Sequence, residues 1–570
     1  MNKFFKYTLS LCCMGCLCAS CTDFFETDSD AVLKTEGQRY QDESVARAGL
    51  FGLLQGLQTI GDNYVIMGEL RGDLMDVTAN SSQELRDISQ FDVDTENSYL
   101  KERQYYALIN NCNYYIHRLD TTITKREDEN SYPVKILRPY MAQAKTLRAW
   151  CYLQLCLDYG KVKYTDEAFL DVSKPVETQT LGLDALLPLL IKDLEDVLPW
   201  MVSDDTPVSS GWVQGNADPG FANSIRYESY MANQLMLPVR FVLGELYMWN
   251  QDFQKAAQTY YDLIYLNRLT VSSSYANSYN ETTLLVAGKN WANQFSGFNY
   301  TDILTAIPFT DEYTDNSSGL SKMFNTTYVL APSGVLIDMF NQQAYSINTK
   351  PVTGDLRGMY GTYTDKTETV NGSETERAYV DKYNYMKAND NSYAILCRTA
   401  LVYLRYAEAI NRLGKHKLAF YGVLKYGLNK NTYELYNSLL KDELTGEPYL
   451  DFGVTQSGQT GIFDGNKGLH GRGCGLQNLE LDPTFVIEEC ATEQDSMLYV
   501  EDKLMTEYVL ETALEGNRFH DLMRIARYRN DPTYLAEKVA DKFSTGEREV
   551  IYQKLLDRQN WYLPSTVKWE

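Results

Sequence analysis

The residues of this sequence that are best suited to chemistry are aromatic rings placed among amides and hydroxyls. Residues 291–302, WANQFSGFNYTD, contain Trp291, Phe295, Phe298 and Tyr300 with short polar side chains between them. Rings can stack on the faces of sugars, and short polar groups can hydrogen-bond to sugar hydroxyls. The pattern predicts a carbohydrate-binding surface, although a small β-element that packs its rings inward would have the same composition.

Catalytic chemistry has little support in the sequence. The four histidines are dispersed, and neither H-E-x-x-H nor G-x-S-x-G occurs. Residues 453–460, GVTQSGQT, imitate a phosphate-binding loop but have Gln459 where that loop needs a lysine. The 76 acidic residues offer many carboxylate pairs of the kind that glycosidases use, so a hydrolase stays open as an alternative. We expect a binding protein without enzyme activity, cofactor or metal site.

The first 20 residues have the pattern of an export signal. Lys3 and Lys6 are followed by an apolar stretch through Leu17 that is too short to span a bilayer permanently. The signal ends in CASC, which resembles a bacterial lipobox with Cys21 as the lipid-bearing first mature residue. Acyl chains such as palmitate on Cys21 would hold the protein at a membrane. Six further cysteines without metal-ligand spacing are interpreted as small buried residues: Cys112, Cys151, Cys156, Cys397, Cys474 and Cys490.

Charge and composition argue against a nucleic-acid partner. The 570 residues include 53 basic and 76 acidic ones, a formal net charge of −23, and no cluster of Lys and Arg interrupts this background. The 44 tyrosines are the compositional outlier. Tyrosine combines an apolar face with a hydrogen-bonding tip, which suits a sugar or a peptide ligand, although we expect more than half of these rings to pack between helices.

The scaffold that positions these residues is predicted to be helical. Residues 401–427 contain two helices joined by a tight turn. Ala407 and Ala419 are twelve positions apart, and so are Gly244 and Ala256. Small residues at this spacing let two antiparallel helices approach closely, as in tetratricopeptide-type repeats. Two unrelated helical hairpins would give the same spacing, so that alternative stays open.

The first helix of the 401–427 pair has an amphipathic pattern. Apolar residues recur at three- and four-residue steps, while Arg405, Glu408 and Arg412 form another face. Asp184 is a candidate N-cap for a predicted helix at residues 186–198. The further predicted helices cover residues 44–59, 142–159, 186–198, 231–250, 252–265, 501–526 and 534–543.

The remaining segments have the composition of loops and short hairpins. Residues 203–230 and 429–483 are rich in Gly, Asn, Asp and Ser, and the helical period is broken from residue 272 to residue 350. Asn371–Gly372 is a strong hairpin turn. The glycines of residues 468–475 would allow the backbone either to approach a ligand or to turn repeatedly.

Three helical motifs together resemble those of the SusD/RagB family. Residues 398–414, RTALVYLRYAEAINRLG, resemble the family signature R-x-A-x-x-x-L-x-Y-A-E-A-x-N-x-x-G. Residues 144–160 and 507–524 resemble two further family segments, E-A-R-x-L-R-A and E-G-x-R-x-x-D-L-x-R among them. Asp355 and Arg357 resemble the family's D-x-R, which is expected to be a structural ion pair. The motifs follow the family's order behind a lipoprotein leader, and the similarity covers essentially the whole chain.

This resemblance implies a mainly α fold of the SusD-like type. We expect a tetratricopeptide-like helical repeat domain with a loop-rich inserted region that contains short β-hairpins. The implied parts are a signal peptide at 1–20, an N-terminal part with helical repeats at 21–271, a ligand-side insertion at 272–392, and a C-terminal part at 393–570 with a helical repeat at 393–428 and a loop region at 429–483.

The resemblance also implies a role in nutrient uptake. Such a lipoprotein would be anchored in the outer membrane at the cell surface, bind an oligosaccharide or polysaccharide, and deliver it to a SusC-like TonB-dependent transporter. The same role with an oligopeptide ligand stays open. A periplasmic tetratricopeptide-type lipoprotein that assembles proteins is an alternative of a different class.

Ligand contacts are suggested at a few positions. Residues 68–78, GELRGDLMDVT, resemble the family's E-x-R-x-D turn and make Arg71 a candidate. In relatives the segment just before the next long helix commonly supplies contacts, which makes Asn97 and Tyr99 the best positional candidates. The predicted set is completed by three aromatic residues, Trp291, Phe298 and Tyr300.

Overall fold

The structure is a computed structural model. It describes residues 40, 42–125, 135–169, 176–201, 226–227, 230–267, 269–271, 291–292, 294–295, 302–310, 318–347, 350–370, 372–383, 391–429, 432, 438–440, 442–444, 446–450, 452, 463, 465–475, 479 and 482–567. The leader and Cys21 lie outside these residues, and the following description is confined to them.

Helices dominate both ends of the described chain. The N-terminal half contains α1 Glu43–Gly56, α2 Gly61–Leu70, α3 Gln83–Gln90, α4 Glu102–Arg118, α5 Arg138–Tyr159, α6 Leu183–Glu195, α7 Val239–Trp249 and α8 Phe253–Leu266. Two short helices, α9 Leu320–Asn325 and α10 Gly334–Asn341, lie in the insertion. The C-terminal half contains α11 Thr399–Arg412, α12 Leu418–Tyr426, α13 Gly471–Cys474, α14 Glu493–Thr512, α15 Arg518–Arg529, α16 Pro532–Ala540 and α17 Thr545–Leu555.

Helix boundaries follow local sequence signals. Pro139 stands in the first turn of α5, where its missing N–H costs nothing, and Gly160 ends the helix with φ +76°. The side chain of Thr492 accepts from the Asp495 N–H, and the Asp495 carboxylate accepts from the Thr492 N–H, which forms a capping box at the start of α14. Such caps satisfy backbone donors that have no partner inside the helix.

Two antiparallel helix pairs confirm the predicted repeat units. In the pair α7/α8, a Cβ built on Gly244 would lie 2.5 Å from the Tyr260 ring, so only glycine allows this approach. In the pair α11/α12, the chain turns at Gly414 with φ +77°. Ala407 and Ala419, the small residues of that pair, are fully buried. Helix α12 has the wider π-type hydrogen bonding over its whole length.

Several boundary predictions were wrong in detail. The cap position of α6 is Gly182, and Asp184 lies inside the first turn, where its carboxylate pairs with Arg527 at 2.8 Å. The segment predicted as helical from 501 to 526 is two helices, because Leu514 and Gly516 adopt positive φ between α14 and α15. The Glu69 carboxylate accepts the Gly516 N–H at 2.7 Å and stabilises this break.

The predicted polar face of α11 is also wrong. Arg405 and Glu408 are buried, and Arg412 is half-buried, so this helix is enclosed on all sides. Charged residues at helical spacing normally mark a solvated face, but here each of them meets an opposite charge on a neighbouring helix.

The strands form small antiparallel pairs, and two of these pairs, at residues 344–353 and 363–380, lie entirely in the insertion. The elements are β1 Met75–Val77, β2 Lys161–Tyr164, β3 Gln179–Gly182, β4 Arg226–Tyr227, β5 Tyr230–Met231, β6 Ile303–Thr310, β7 Leu330–Pro332, β8 Ala344–Ile347, β9 Lys350–Thr353, β10 Tyr363–Val370, β11 Ser373–Val380 and β12 Asn391–Arg398. The pairs are β1/β7, β2/β3, β4/β5, β6/β12, β8/β9 and β10/β11. The β10/β11 pair joins Val370 to Ser373 across a two-residue turn with Gly372 at φ +84°, as the sequence predicted.

One continuous apolar core connects the helices with the insertion. It includes residues from Tyr40 at the start of the described chain to Leu563 near its end. Among the helices of the described residues, none is both long and apolar enough to cross a membrane. The fold is therefore mainly α with short two-stranded sheets, which confirms the predicted fold class.

Candidate functional site

The charged residues of the sequence motifs meet inside the protein rather than on its surface. We call this group the interior ion network. Its members are Asp302, Asp355, Arg357, Arg398, Arg405, Glu408, Arg472, Glu507, Glu511, Glu515, Asp521 and Arg524, and all are buried. A buried charge is tolerated when it is paired and hydrogen-bonded, so the geometry of each pair decides what the network does.

Arg357 is the most highly connected member. Its guanidinium donates to both oxygens of Asp355, at 2.9 and 2.8 Å, and to Glu507 and Glu511 at 2.6 and 2.9 Å. The pair Asp355–Arg357 confirms the structural ion pair that the D-x-R motif predicted. Because Glu507 and Glu511 belong to α14, this arginine fastens the insertion to a C-terminal helix.

The glycine-rich segment 468–475 serves the same network. His470 Nδ1 lies 2.5 Å from Glu507, and Arg472 donates to Glu511 at 3.1 Å. A Cβ on Gly473 would lie 2.0 Å from the Asp355 carboxylate. At Gly473 the backbone closely approaches the protein's own Asp355, which was neither of the two predicted uses of these glycines. Burial alone would raise the pKa of Glu507, but Arg357 and His470 outweigh it and lower the pKa to about 2.

Arg398 connects β12 to the end of α14. It donates to Asp302 at 2.5 Å, to Glu515 at 3.0 Å and to the Glu511 carbonyl at 2.5 Å. Its guanidinium carbon lies 5.9 Å from the centre of the Trp291 ring. The strand that leads into α11 is thereby held against the turn between α14 and α15.

The α11 charges complete the network on the side of the helical repeats. Arg524 donates to both oxygens of Glu408, at 2.8 and 2.7 Å, and to Asp521 at 2.8 Å. Arg405 donates to Glu245 on α7 at 2.8 Å and lies 2.7 Å from Asp521. The motif residues of α11 and α15 therefore bind the helix pairs to one another.

The interior ion network has the chemistry of a structural element. Burial would raise the pKa of four of its carboxyl groups, but neighbouring guanidinium groups outweigh it and lower the pKa, so these groups are anions that only accept hydrogen bonds: Asp302, Glu408, Glu507 and Asp521. Removing one partner of a buried pair costs about 3–5 kcal/mol, because the remaining charge is left uncompensated. These residues fix how helices and insertion are assembled.

Arg71, predicted as a ligand contact, lies in the interior. Its side chain is 1 % exposed, donates to Asp158 at 3.1 Å and lies over the Phe519 ring at 4.2 Å. His520 also lies 3.1 Å from the same Asp158 oxygen. Arg71 joins α2, α5 and α15 in this structure and has no exposed surface to offer a ligand.

Tyr99 is the predicted contact that lies at the surface. It is half-buried on the loop between α3 and α4, and the two residues before it bind this loop to α3. The Asn97 side chain donates to the Glu84 carbonyl at 3.0 Å and accepts the Tyr99 N–H at 3.0 Å. The Ser98 N–H and hydroxyl donate to the two Glu84 oxygens, each at 2.8 Å. Asn97 itself is buried, so its side chain positions Tyr99.

The same loop meets the insertion through the first turn of α2. Asn63 donates to the Tyr99 carbonyl. The adjacent Asp62 accepts from the Ser318 hydroxyl at 2.7 Å and from the Gly319 N–H at 2.6 Å. We define the Tyr99 face as the loop 92–101, residues 58–63 and two parts of the insertion, 308–310 and 318–319. It brings a predicted N-terminal contact next to the predicted ligand-side insertion.

Gln58 and Gly61 complete the junction of the Tyr99 face with strand β6. Gln58 donates to the Pro308 carbonyl at 2.6 Å. A Cβ on Gly61 would lie 2.9 Å from the Phe309 ring, so the strand packs directly on the start of α2. This junction holds the two sides of the face in a fixed relation.

The aromatic residues of the segment 291–302 do not share one environment that the structure describes. Trp291 is 1 % exposed and packs edge-on against the buried Phe295 at 5.6 Å, next to Arg398. For these two rings the inward-packing alternative describes the structure, and Trp291 has no surface to offer a ligand. Phe298 and Tyr300 lie outside the described residues, so their predicted role stays a prediction.

Metal and thiol chemistry give no second candidate. Within the described residues, no group of three or more His, Cys, Asp or Glu side chains could hold a metal ion. The six cysteines are free, and all but the half-buried Cys490 are buried, in line with their interpretation as small apolar residues. Burial raises the pKa of Cys112 to about 12, which keeps that thiol protonated.

Sequence reasoning missed the residues that support Tyr99. Glu84 and Asn63 anchor the loop, yet neither belongs to a recognisable motif. The one available signal was Ser82, which caps α3 and so places Glu84 in the first turn of that helix. The pairing of Glu84 with Ser98, fourteen positions away, depends on the tertiary path of the loop.

Comparison with known proteins identifies the fold. No protein-family model matches the chain, and no curated protein matches it in sequence. Solved structures do match. A SusD superfamily protein from Bacteroides thetaiotaomicron is 15% identical, with 92% of this chain and 96% of that one covered at a TM-score of 0.53.

Two other structures give the same result. A SusD-like carbohydrate-binding protein from Bacteroides fragilis is 15% identical, with coverage of 86% of this chain and 88% of that one and a TM-score of 0.54. A SusD superfamily protein from Bacteroides vulgatus is 13% identical, with coverage of 90% and 93% and a TM-score of 0.54. At these identities the similarity establishes the fold, and it does so over most of the chain.

Proposed function

From the SusD-superfamily fold of this chain, we propose that it is a cell-surface lipoprotein that binds an oligosaccharide or polysaccharide nutrient and delivers it to a partner SusC-like TonB-dependent transporter. The observation that carries the proposal is the fold itself. It extends over most of the chain and of each matched structure, and one of those structures is described as a SusD-like carbohydrate-binding protein. The three helical motifs and the lipobox-like leader ending at Cys21 support the same role.

The Tyr99 face supplies the geometry for sugar binding. The ring of Tyr99 is half-buried against the core, and its exposed part can stack on one face of a sugar while its hydroxyl hydrogen-bonds to the rim. The backbone on either side of Tyr99 is already fixed by Asn97 and Asn63, so binding does not have to order the loop. We expect modest affinity, because a single ring platform must also release what it captures.

Anchoring and delivery follow from the sequence. Lipid chains on Cys21 would hold the body of the protein at the outer membrane despite its negative charge. The helical repeats would dock on the transporter, and the Tyr99 face would present the nutrient toward its mouth. In this proposal the protein binds and transfers its ligand without changing it chemically.

Binding can be tested with the soluble protein that begins at Thr22. Affinity electrophoresis and calorimetry against a panel of polysaccharides, with a peptide digest in parallel, should identify at least one glycan ligand. Tyr99→Ala should abolish that binding, while Tyr552→Ala should not. Tyr552 is a fair control because it is also partly buried against the core, on α17.

The outcomes separate the alternatives. Binding only to peptides would replace the glycan by an oligopeptide in the same role. Binding to neither class would favour a protein-assembly role. Loss of glycan binding in both tyrosine variants would remove the Tyr99 face from the proposal.

Surface exposure needs a separate measurement. Protease treatment of intact cells should degrade the protein, and a Cys21→Ala variant should leave the membrane fraction. Protection from protease would instead indicate the periplasmic alternative.

A further inference from the structure

A cleft of about 320 Å³ opens beside helix α4, and none of the described residues that line it belongs to the Tyr99 face. Its wall is formed by α4, α5, the strand β2 with the segment that follows it, and the C-terminal segment. The lining residues are Arg103, Tyr106, Ile109, Asn110, Asn113, Tyr152, Lys163, Thr165, Phe169, Thr178 and Val567. This volume is at the lower end of the range for small-molecule sites.

The walls of the cleft are apolar and preformed. Tyr152 is fully buried and its hydroxyl both donates to the Thr165 carbonyl at 2.8 Å and accepts the Thr165 N–H at 3.0 Å. Phe169 stands 46 % exposed, and its backbone N–H donates to Asn110 at 2.7 Å. An exposed ring held by its own backbone costs little further entropy when a second apolar body packs against it.

The amides of the cleft are already used by the protein. Asn113 donates to the carbonyls of Thr165 and Glu167, at 3.2 and 3.0 Å, and accepts from Arg148 at 2.7 Å. Asn110 faces the Phe169 backbone. A neutral sugar, which needs a partner for each of several hydroxyls, would find few here.

The charged lining residues of the cleft are both cations. In a chain with a formal charge of −23, Arg103 and Lys163 line the cleft, and no acidic residue is among the described residues that line it. The Tyr106 hydroxyl accepts the Lys163 N–H at 2.9 Å. Burial raises the pKa of Tyr106 to about 12, so the hydroxyl keeps its own proton at neutral pH and can donate it.

We propose that this cleft is a second ligand site, which takes a small aromatic carboxylate. The aromatic body would pack against the accessible side chains of Phe169 and Val567, and the carboxylate would accept from Tyr106 and face the guanidinium of Arg103. A charge-assisted hydrogen bond to a carboxylate is stronger than one between neutral groups, so the anionic end dominates recognition. The site is independent of whether the Tyr99 face binds a glycan.

The probe for this site is 3-phenylpropionate, with the neutral isostere 3-phenylpropanamide as its chemical control. Calorimetric titration of the protein should give saturable binding of the carboxylate and at least about tenfold weaker binding of the amide. Equal affinity for the two probes, or no saturable binding of the carboxylate, would overturn the proposal.

Variants assign the binding to this cleft. Phe169→Ala, Tyr106→Phe and Arg103→Gln should each weaken 3-phenylpropionate binding severalfold, while Lys161→Gln should leave it unchanged. Lys161 is the matched control because it is an exposed cation of β2, the strand of Lys163, that neither lines the cleft nor belongs to the Tyr99 face. An unaltered melting temperature will show that the exposed Phe169 can be truncated without loss of fold. Binding that survives Phe169→Ala and Arg103→Gln at full strength would place the probe elsewhere and refute the assignment.

Tyr99→Ala separates this site from the proposed function. That variant should keep full affinity for 3-phenylpropionate, whatever it does to glycan binding. If Tyr99→Ala abolishes binding of the carboxylate as well, the probe occupies the Tyr99 face and the second site is wrong.

Discussion

The interior ion network and the Tyr99 face are positioned by opposite means. In the network, charged side chains from α11, α14, α15 and the insertion hold one another, as in the four hydrogen bonds of Arg357 to three carboxylates. At the Tyr99 face, side chains of Asn97, Glu84 and Asn63 hold the backbone, and the ring remains half-exposed. The first arrangement fixes the assembly of the fold, and the second leaves a side chain available.

This difference explains which properties of the protein a family resemblance can predict. The recognisable motifs supply Arg398, Glu408, Glu511 and Arg524, which are buried partners of one another. Such residues constrain each other wherever they stand in the chain, so a distant relative with the same fold needs the same types. Tyr99 belongs to no such set of buried ion pairs. The motifs therefore predict the fold and say little about what the protein binds.

The largest effect is expected when the network is broken at Arg357. Arg357→Ala should lower the free energy of unfolding by about 3–5 kcal/mol, because Asp355, Glu507 and Glu511 would keep their buried charges without the shared cation. Urea unfolding followed by circular dichroism measures this. The control is Arg548→Ala, since Arg548 pairs with Asp541 at the exposed surface and should give no measurable change. Equal stability of the two variants would show that the network is not what holds the fold together.

Acid should weaken the network through Glu507. Its pKa is lowered from the ordinary 4.5 to about 2, so its ionised form stabilises the folded state above the ordinary pKa. That contribution, on the order of 2–3 kcal/mol, is lost as the pH falls from about 5 to about 2. Urea midpoints measured across this range should fall steeply for the unmodified protein. Glu507→Gln should be less stable at pH 7 and lose less on acidification, whereas an unchanged slope would place the acid sensitivity in other carboxylates.

Features of the fold that depend on local chemistry were predictable from the sequence, and features that depend on tertiary packing were not. The turn at Gly414, the hairpin at Gly372 and the Asp355–Arg357 pair were predicted because each depends on local chemistry or on a motif. The inward direction of Arg405 and Glu408 was not, since helical periodicity cannot tell a solvated charge from one that meets a partner on another helix.

The candidate site was less predictable than the fold. Tyr99 was predicted from its position before α4, Arg71 from a motif and Trp291 from the composition of its segment, and the last two lie in the interior. Whether a ring or a guanidinium faces solvent depends on which elements cover it, here Phe519 over Arg71 and Phe295 against Trp291. That information is tertiary, and composition does not contain it.

Helix α2 makes a close backbone contact with the turn between α14 and α15. A Cβ on Gly68 of α2 would lie 1.9 Å from the Gly516 carbonyl oxygen, between the Tyr99 face and the network. Gly68→Ala should therefore cost about 1–3 kcal/mol of stability by overpacking. Gly334→Ala in α10 is the matched control, because a Cβ there meets nothing within 4 Å and should be neutral or slightly stabilising. Thermal unfolding of the two variants measures the difference, and similar melting temperatures would mean that α2 can move away from this contact.

Asn97→Ala should have the smallest effect on stability and a clear effect on glycan binding. Asn97→Ala removes the acceptor of the Tyr99 N–H and the donor to Glu84, which should cost only about 1 kcal/mol because the loop lies at the surface. Glycan affinity should nevertheless fall severalfold, since Tyr99 would lose its fixed position and binding would have to order the loop. Asn80→Ala is a suitable comparison, because the Asn80 amide also ties a surface turn to a backbone carbonyl, at Thr327, outside the Tyr99 face. If Asn97→Ala and Asn80→Ala bind the glycan equally well, the ring does not need to be held in advance, and the distinction between a fixed interior and a preorganised face would have to be given up.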